Sequence, residues 1–109
     1  MKKALIYQQG SLAGILEQTE GGTYQFTYTE GYHGEPVSLT MSTEKKMYHF
    51  DHFPSFLEGL LPEGERLEAF LKLCKIDRND YFTQLLTLGE DLVGSLEVYP
   101  NYSVNRSNS

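Results

Sequence analysis

The sequence predicts an α+β domain: a small twisted antiparallel sheet, made of an N-terminal meander plus a C-terminal strand, packed with two to three short helices. Three observations predict it. The segment TYQFTYT at 23–29 alternates apolar and polar residues with period two, as a half-buried strand does. Leu67, Phe70, Leu71 and Cys74 recur at i, i+3, i+4 and i+7, the apolar stripe of a helix. Beyond the helical half, LVGSLEVY at 92–99 returns to strand-like residues.

Along the chain, residues 2–8 and 12–17 read as two strands joined by a turn at Gln9-Gly10, and Glu20-Gly21-Gly22 marks the next turn. In the third strand Tyr24, Phe26 and Tyr28 share one face, completing the meander. From 30 to 52, Gly31, Gly34 and Pro36 interrupt regular structure. Val37–Met41 is expected to form a short strand or edge segment, and 43–52 carries no consistent pattern. Ser55 with Glu58 three residues later has the spacing of a capping box, for a short helix stopped before Pro62. A second helix is expected from about Glu63 to Cys74. Asp77 is expected to cap a third over RNDYFTQLLTL, with Asp80 supporting its first turn and Gly89 ending it. The final strand is expected to rejoin the N-terminal sheet. Residues 1–100 thus form one domain and 101–109 a polar tail expected to be disordered.

Composition narrows the function. The chain has 109 residues and a net charge of −6, which disfavours contact with a phosphate backbone, so no direct nucleic-acid binding is expected. No run approaches the length of a membrane span. One cysteine, Cys74, cannot form an internal disulfide, and the reading is cytoplasmic. Cys74 itself is expected in the core, on the buried stripe.

Candidate chemistry is sparse. His33, His49 and His52, with Asp51 beside two of them, lie in an irregular region and read as surface residues, because a metal site needs three or four convergent ligands. Glu58, Glu63, Glu65 and Glu68 surround a helix start, where carboxylates favour the helix dipole and stay solvated, or meet a charged partner. Gly89–Gly94 comes after a helix and opens a strand, the reverse of a phosphate-binding loop. No serine or cysteine has an identifiable base and orienting partner, so no catalytic set is expected. The remaining signal is an apolar surplus: Phe50, Phe53, Phe56, Leu57, Leu60 and Leu61 fall within twelve residues. They form a core-central segment, with Phe53, Phe56, Leu57 and Leu60 as candidate interface anchors.

The segments Gly14-Ile15-Leu16, Phe26-Thr27-Tyr28, Val37–Met41, Phe53–Gly64, Asp80-Tyr81-Phe82 with Leu85-Leu86, and Gly89–Leu96 stand in an order and spacing that resemble the N-terminal subdomain of the HipA family of bacterial toxin kinases. The resemblance spans about residues 2–100, and its specific parts are LLPEG at 60–64 and GEDLVG at 89–94. No kinase core accompanies them. The chain therefore resembles the HipS family, free-standing copies of this subdomain in tripartite HipBST toxin–antitoxin modules. The resemblance implies a non-catalytic antitoxin without cofactor. Its partners would be a HipA-like serine/threonine kinase toxin (HipT), which it restrains, and a DNA-binding antitoxin (HipB). The kinase-facing turn would be Pro62, Glu63, Gly64, Glu65 and Arg66. Such proteins carry a tryptophan just after LLPEG. Here Glu65 stands there, leaving Glu65 or Arg66 as a substitute plug, or docking that holds the kinase inactive. An assembly module that bridges kinase and DNA-binding partner without inhibiting is the alternative.

Overall fold

The structure is a computed structural model that describes residues 2–92 and 95–101. Five strands, β1 (Lys2–Gln8), β2 (Ser11–Gln18), β3 (Tyr24–Tyr28), β4 (Met47–Phe50) and β5 (Leu96–Pro100), form one sheet in the order β4-β3-β2-β1-β5. Every pairing is antiparallel. Three helices, α1 (Ser55–Glu58), α2 (Gly64–Cys74) and α3 (Tyr81–Leu88), lie between β4 and β5 in the chain, and a 3₁₀ turn covers Gly89–Asp91. The α+β expectation and the return of the last strand to the N-terminal sheet are therefore met, and the structure places that strand against β1.

The β1–β2 hairpin turns on Gln9 and Gly10, whose φ of 51° and 85° are both positive. This is the primed geometry that matches strand twist in a two-residue loop. Gly14 is required for packing. A Cβ there would lie 2.5 Å from both the Phe26 ring and the Thr27 carbonyl, so the aromatic ring of β3 occupies the space a side chain would take.

The core arises from alternation. Ala4 and Ile6 of β1, Gly14 and Leu16 of β2, Tyr24, Phe26 and Tyr28 of β3, and Leu96 and Val98 of β5 point to one face, and Ala13, skipped by the pairing at a register shift opposite Ile6 and Tyr7, is buried as well. Phe53, Leu57, Leu61, Phe82 and Leu85 cover that face and complete one cluster. Burial of such side chains is the main stabilising term, about 1.5–3 kcal/mol each.

Four expectations are corrected. Val37–Met41 is not a strand but a tight turn, whose ends are held by the Tyr28 hydroxyl instead of a ladder. The patternless stretch 43–52 contains β4, an edge strand whose residues alternate only between exposed and half-buried. Ser55 is the first helical residue of α1, after Pro54, and makes no capping bond, so there is no capping box. The cap of α3 is Asp80, which accepts from Thr83 N–H at 3.1 Å. Asp77 instead accepts from Asn79 N–H in the preceding turn.

A further correction concerns α2. Its amphipathic pattern makes a helix, but only Leu71 is buried, and it lies outside the core cluster. Leu67 and Phe70 are not fully buried, Leu73 is exposed, and Cys74 is exposed, not in the core. Most of the helix faces solvent, and none of its residues belongs to the buried core cluster. Of the tail expected over 101–109, Asn101 is described and its N–H donates to the Lys3 carbonyl at 3.3 Å, while 102–109, like Val93 and Gly94 of the GEDLVG segment, lie outside the described residues.

Candidate functional site

The turn between α1 and α2 is built by its sequence. The four-residue α1 ends at Gly59, and backbone bonds from Leu60 to Leu57 and from Leu61 to Glu58 continue the tight winding. Pro62 stops it, since it has no N–H to donate. Glu63 is extended, with φ −131° and ψ 165°, and serves as the N-cap position of α2 without a side-chain bond. Gly64 opens α2 with φ +63°, a left-handed conformation that costs an L-residue roughly 1–2 kcal/mol. The sharp re-entry into helix thus depends on Pro62 and Gly64 together.

This geometry turns the start of α2 out into solvent. Glu63, Gly64, Glu65 and Arg66 are exposed and Pro62 is half-buried. Among the described residues neither Glu65 nor Arg66 forms an ion pair. Glu63 and Arg66 line a shallow cavity of about 290 Å³ together with Leu88 and Asp91. Glu58 and Glu68 are also exposed nearby in sequence, and Glu68 is held by Arg78 through both carboxylate oxygens, at 2.6 and 2.5 Å. That contact ties the middle of α2 to the loop before α3. The loop is fixed in turn from inside: Gln84, 1 % exposed, donates from Nε2 to the carbonyls of Asp77 and Arg78.

The candidate anchors divide by burial. Phe53 and Leu57 point into the core, with exposures of 8 % and 0 %. Phe56 and Leu60 are half-buried at its margin. Phe56 packs edge-on to Phe26 with centroids 6.2 Å apart, and Phe53 packs edge-on to Tyr24 at 5.4 Å. The ring contacts lock α1 against β3 and fix where the turn at 62–66 begins.

The other candidates do not converge. His49 sits exposed on β4 and His52 in the loop after it. Among the described residues no three His, Cys, Asp or Glu side chains group as metal ligands. No described helix is long and apolar enough to cross a membrane. Sequence reasoning missed one constellation. The buried Tyr28 hydroxyl accepts from Val37 N–H at 3.1 Å and donates to the Met41 carbonyl at 2.5 Å, pinning a loop from both ends. Alternation signals that Tyr28 is inward; nothing local signals which backbone groups its hydroxyl meets.

Comparison with known proteins bears on the family and the fold. The family model described as HipA N-terminal domain matches residues 4–99. The solved N-terminal domain of HipA toxin superposes with a TM-score of 0.74 at 24% sequence identity, covering 93% of each chain; that likeness is one of fold. An uncharacterised protein of Haemophilus influenzae is 28% identical over 98 residues, spanning 90% of this chain and 92% of the relative.

Proposed function

The chain belongs to the HipA N-terminal domain family, and on that premise we propose that it is a non-catalytic antitoxin subunit that binds and inhibits a HipA-like serine/threonine kinase. The complex is tripartite, with HipT as the kinase and HipB as the DNA-binding antitoxin, in the cytoplasm. The observation that carries the reading is the turn Pro62–Arg66: exposed from Glu63 to Arg66, mounted on core residues, and shaped by a half-buried proline and a left-handed glycine. A preorganised turn loses little conformational freedom on binding, which favours affinity. Its carboxylates, Glu63 and Glu65, suit the cationic groups with which a kinase cleft holds phosphates. Arg66 suits an acidic catalytic residue. Phe56 and Leu60 supply apolar anchoring beside the turn, while Phe53 and Leu57 hold the scaffold.

The test is autophosphorylation of the partner kinase with and without this chain. Stoichiometric addition is expected to suppress it, and an unchanged rate overturns the reading. Replacing Glu65 and Arg66 with alanine separates the two modes of inhibition. Loss of inhibition with retained binding means the turn plugs the cleft; full inhibition by the variant means that docking alone holds the kinase inactive.

A further inference from the structure

The sheet carries a second apolar surface, which neither the core nor the turn at 62–66 uses. On one face Phe56 of α1 meets Phe26, and Phe82 of α3 stacks on Tyr24. On the opposite face Tyr99, Leu5, Ile15, Thr27 and Met47 stand side by side in register, one from each strand from β5 across to β4. Tyr7 and Leu12, paired with each other, widen this row along β1 and β2. Tyr7 packs edge-on to Tyr99 with centroids 5.4 Å apart. Met47 is exposed and the other apolar members are half-buried. Among the described residues none of them belongs to the core cluster or packs against it.

The sequence of β1 and β2 is that of strands covered on both sides. A strand wet on one face alternates apolar with polar residues, whereas one buried on both reads as a continuous apolar run. ALIY at 4–7 and LAGIL at 12–16 are such runs. β3 by contrast alternates, with Gln25 and Thr27 between its buried aromatics. The polar groups on the outer face are engaged with one another. Glu17 pairs with Lys3 at 3.5 Å and accepts from Gln25 Nε2 at 3.3 Å, and the Tyr99 hydroxyl donates to Glu97 at 2.9 Å. Lys3, Glu17 and Glu97 leave one net negative charge there, against −6 for the whole chain. Copies of this acidic chain therefore repel one another less across this face than the total charge implies.

We propose that a second copy of the chain covers this outer face, the two sheets packing as a sandwich about a twofold axis through Ile15. Ile15 lies on β2, the middle strand of five, so such an axis lays the apolar row of one copy on that of the other, as an isologous contact requires. The size fits a reversible dimer. Five strands span about 24 Å and three rows of side chains about 20 Å, so each copy covers about 500 Å² and the pair about 1,000 Å². That is the lower end of specific interfaces and predicts a weak, concentration-dependent dimer. Residues 102–109 do not supply the cover, since Tyr102 and Val104 are their only apolar side chains. The inference is independent of the kinase-binding reading. The turn at 62–66 adjoins Leu61, which belongs to the core on the other face, so the dimer leaves the turn open.

The test is sedimentation equilibrium of the purified full chain from about 5 µM to 1 mM, a range that spans weak dimerisation, with Ile15→Thr and Leu5→Lys run alongside. The average mass of the wild type is expected to rise from monomer towards dimer across that range. Ile15→Thr keeps a β-branched side chain and is expected to weaken the dimer about tenfold or more; Leu5→Lys is expected to abolish it. Amide chemical shifts of the wild type, followed over the same concentrations, are expected to move at Leu5, Leu12, Ile15 and Met47 and to stay fixed along α2. A wild type that remains monomeric at about 1 mM overturns the proposal. So does a dimer that Ile15→Thr, folded by circular dichroism, weakens less than about twofold. Shifts centred on α2 overturn it as well, and this map on the wild type decides the matter if either variant fails to fold.

Discussion

Tyr28 shows how one atom organises a region. The residue is 3 % exposed, and burial pushes its pKa up, more than the Val37 N–H bond lowers it. Tyr24 and Tyr32 are raised as well, by burial first and then by the charges of Asp80 and Glu35. A tyrosine whose folded pKa lies above its unfolded value stabilises the fold fully below pH about 10 and loses that contribution as pH rises through the folded value. Urea unfolding from about pH 7 to 11.5 is therefore expected to show flat stability up to about pH 10 and a decline above it. Tyr28→Phe is expected to cost about 1–3 kcal/mol at neutral pH, the penalty of two orphaned backbone groups, and to make the alkaline decline shallower. An unchanged alkaline slope in that variant removes Tyr28 from the account.

At the scale of elements, patterns were legible where local chemistry and burial agree. The alternation of β3 and the Gln9-Gly10 turn identified the meander correctly. Where two residues offered the same local signal, sequence could not choose. Asp77 and Asp80 both suit a cap, and the choice falls on Asp80 because Gln84 reaches back to the carbonyls of Asp77 and Arg78 and folds them into a separate turn. Asp80→Ala is expected to destabilise by about 1 kcal/mol, read as a lower urea midpoint at constant m-value, whereas Asp77→Ala loses only a turn bond and costs less. The stripe on α2 was legible as a helix and misleading about depth. A period of about 3.6 tells which residues share a face; it does not tell whether a surface waits opposite that face. Hence Cys74, on the stripe that reads as core, is exposed.

For the whole molecule the decisive event is the return of β5 to β1. It brings together residues 87 apart in the chain, where Ser95 Oγ donates to Gln8 Oε1, and continues as a ladder from Gln8 and Leu96 onward. β5 brings Leu96 and Val98 into the core, at 6 % and 0 % exposure. A chain truncated before Leu96 loses both, roughly 1.5–3 kcal/mol apiece, together with one whole ladder, against a total stability of about 5–15 kcal/mol. It is expected to lose cooperative thermal unfolding by circular dichroism, and a sharp two-state transition in the truncated chain contradicts a core closed by β5. The candidate turn at 62–66 was legible because proline, glycine and charge act within one short stretch. The Val37–Met41 loop was not, because it is held by a tyrosine nine residues upstream of Val37. By itself the sequence determined the class of fold, the order of most elements, the family likeness and the exposed turn between the first two helices, all of which arise from short-range periodicity and turn chemistry. Only the tertiary structure decided which apolar residues are spent on the core, which aspartate caps α3, that α2 adds nothing to the core cluster, and that Leu39 is left in water. Those outcomes depend on what packs across the sheet from distant parts of the chain, and no local pattern carries that information.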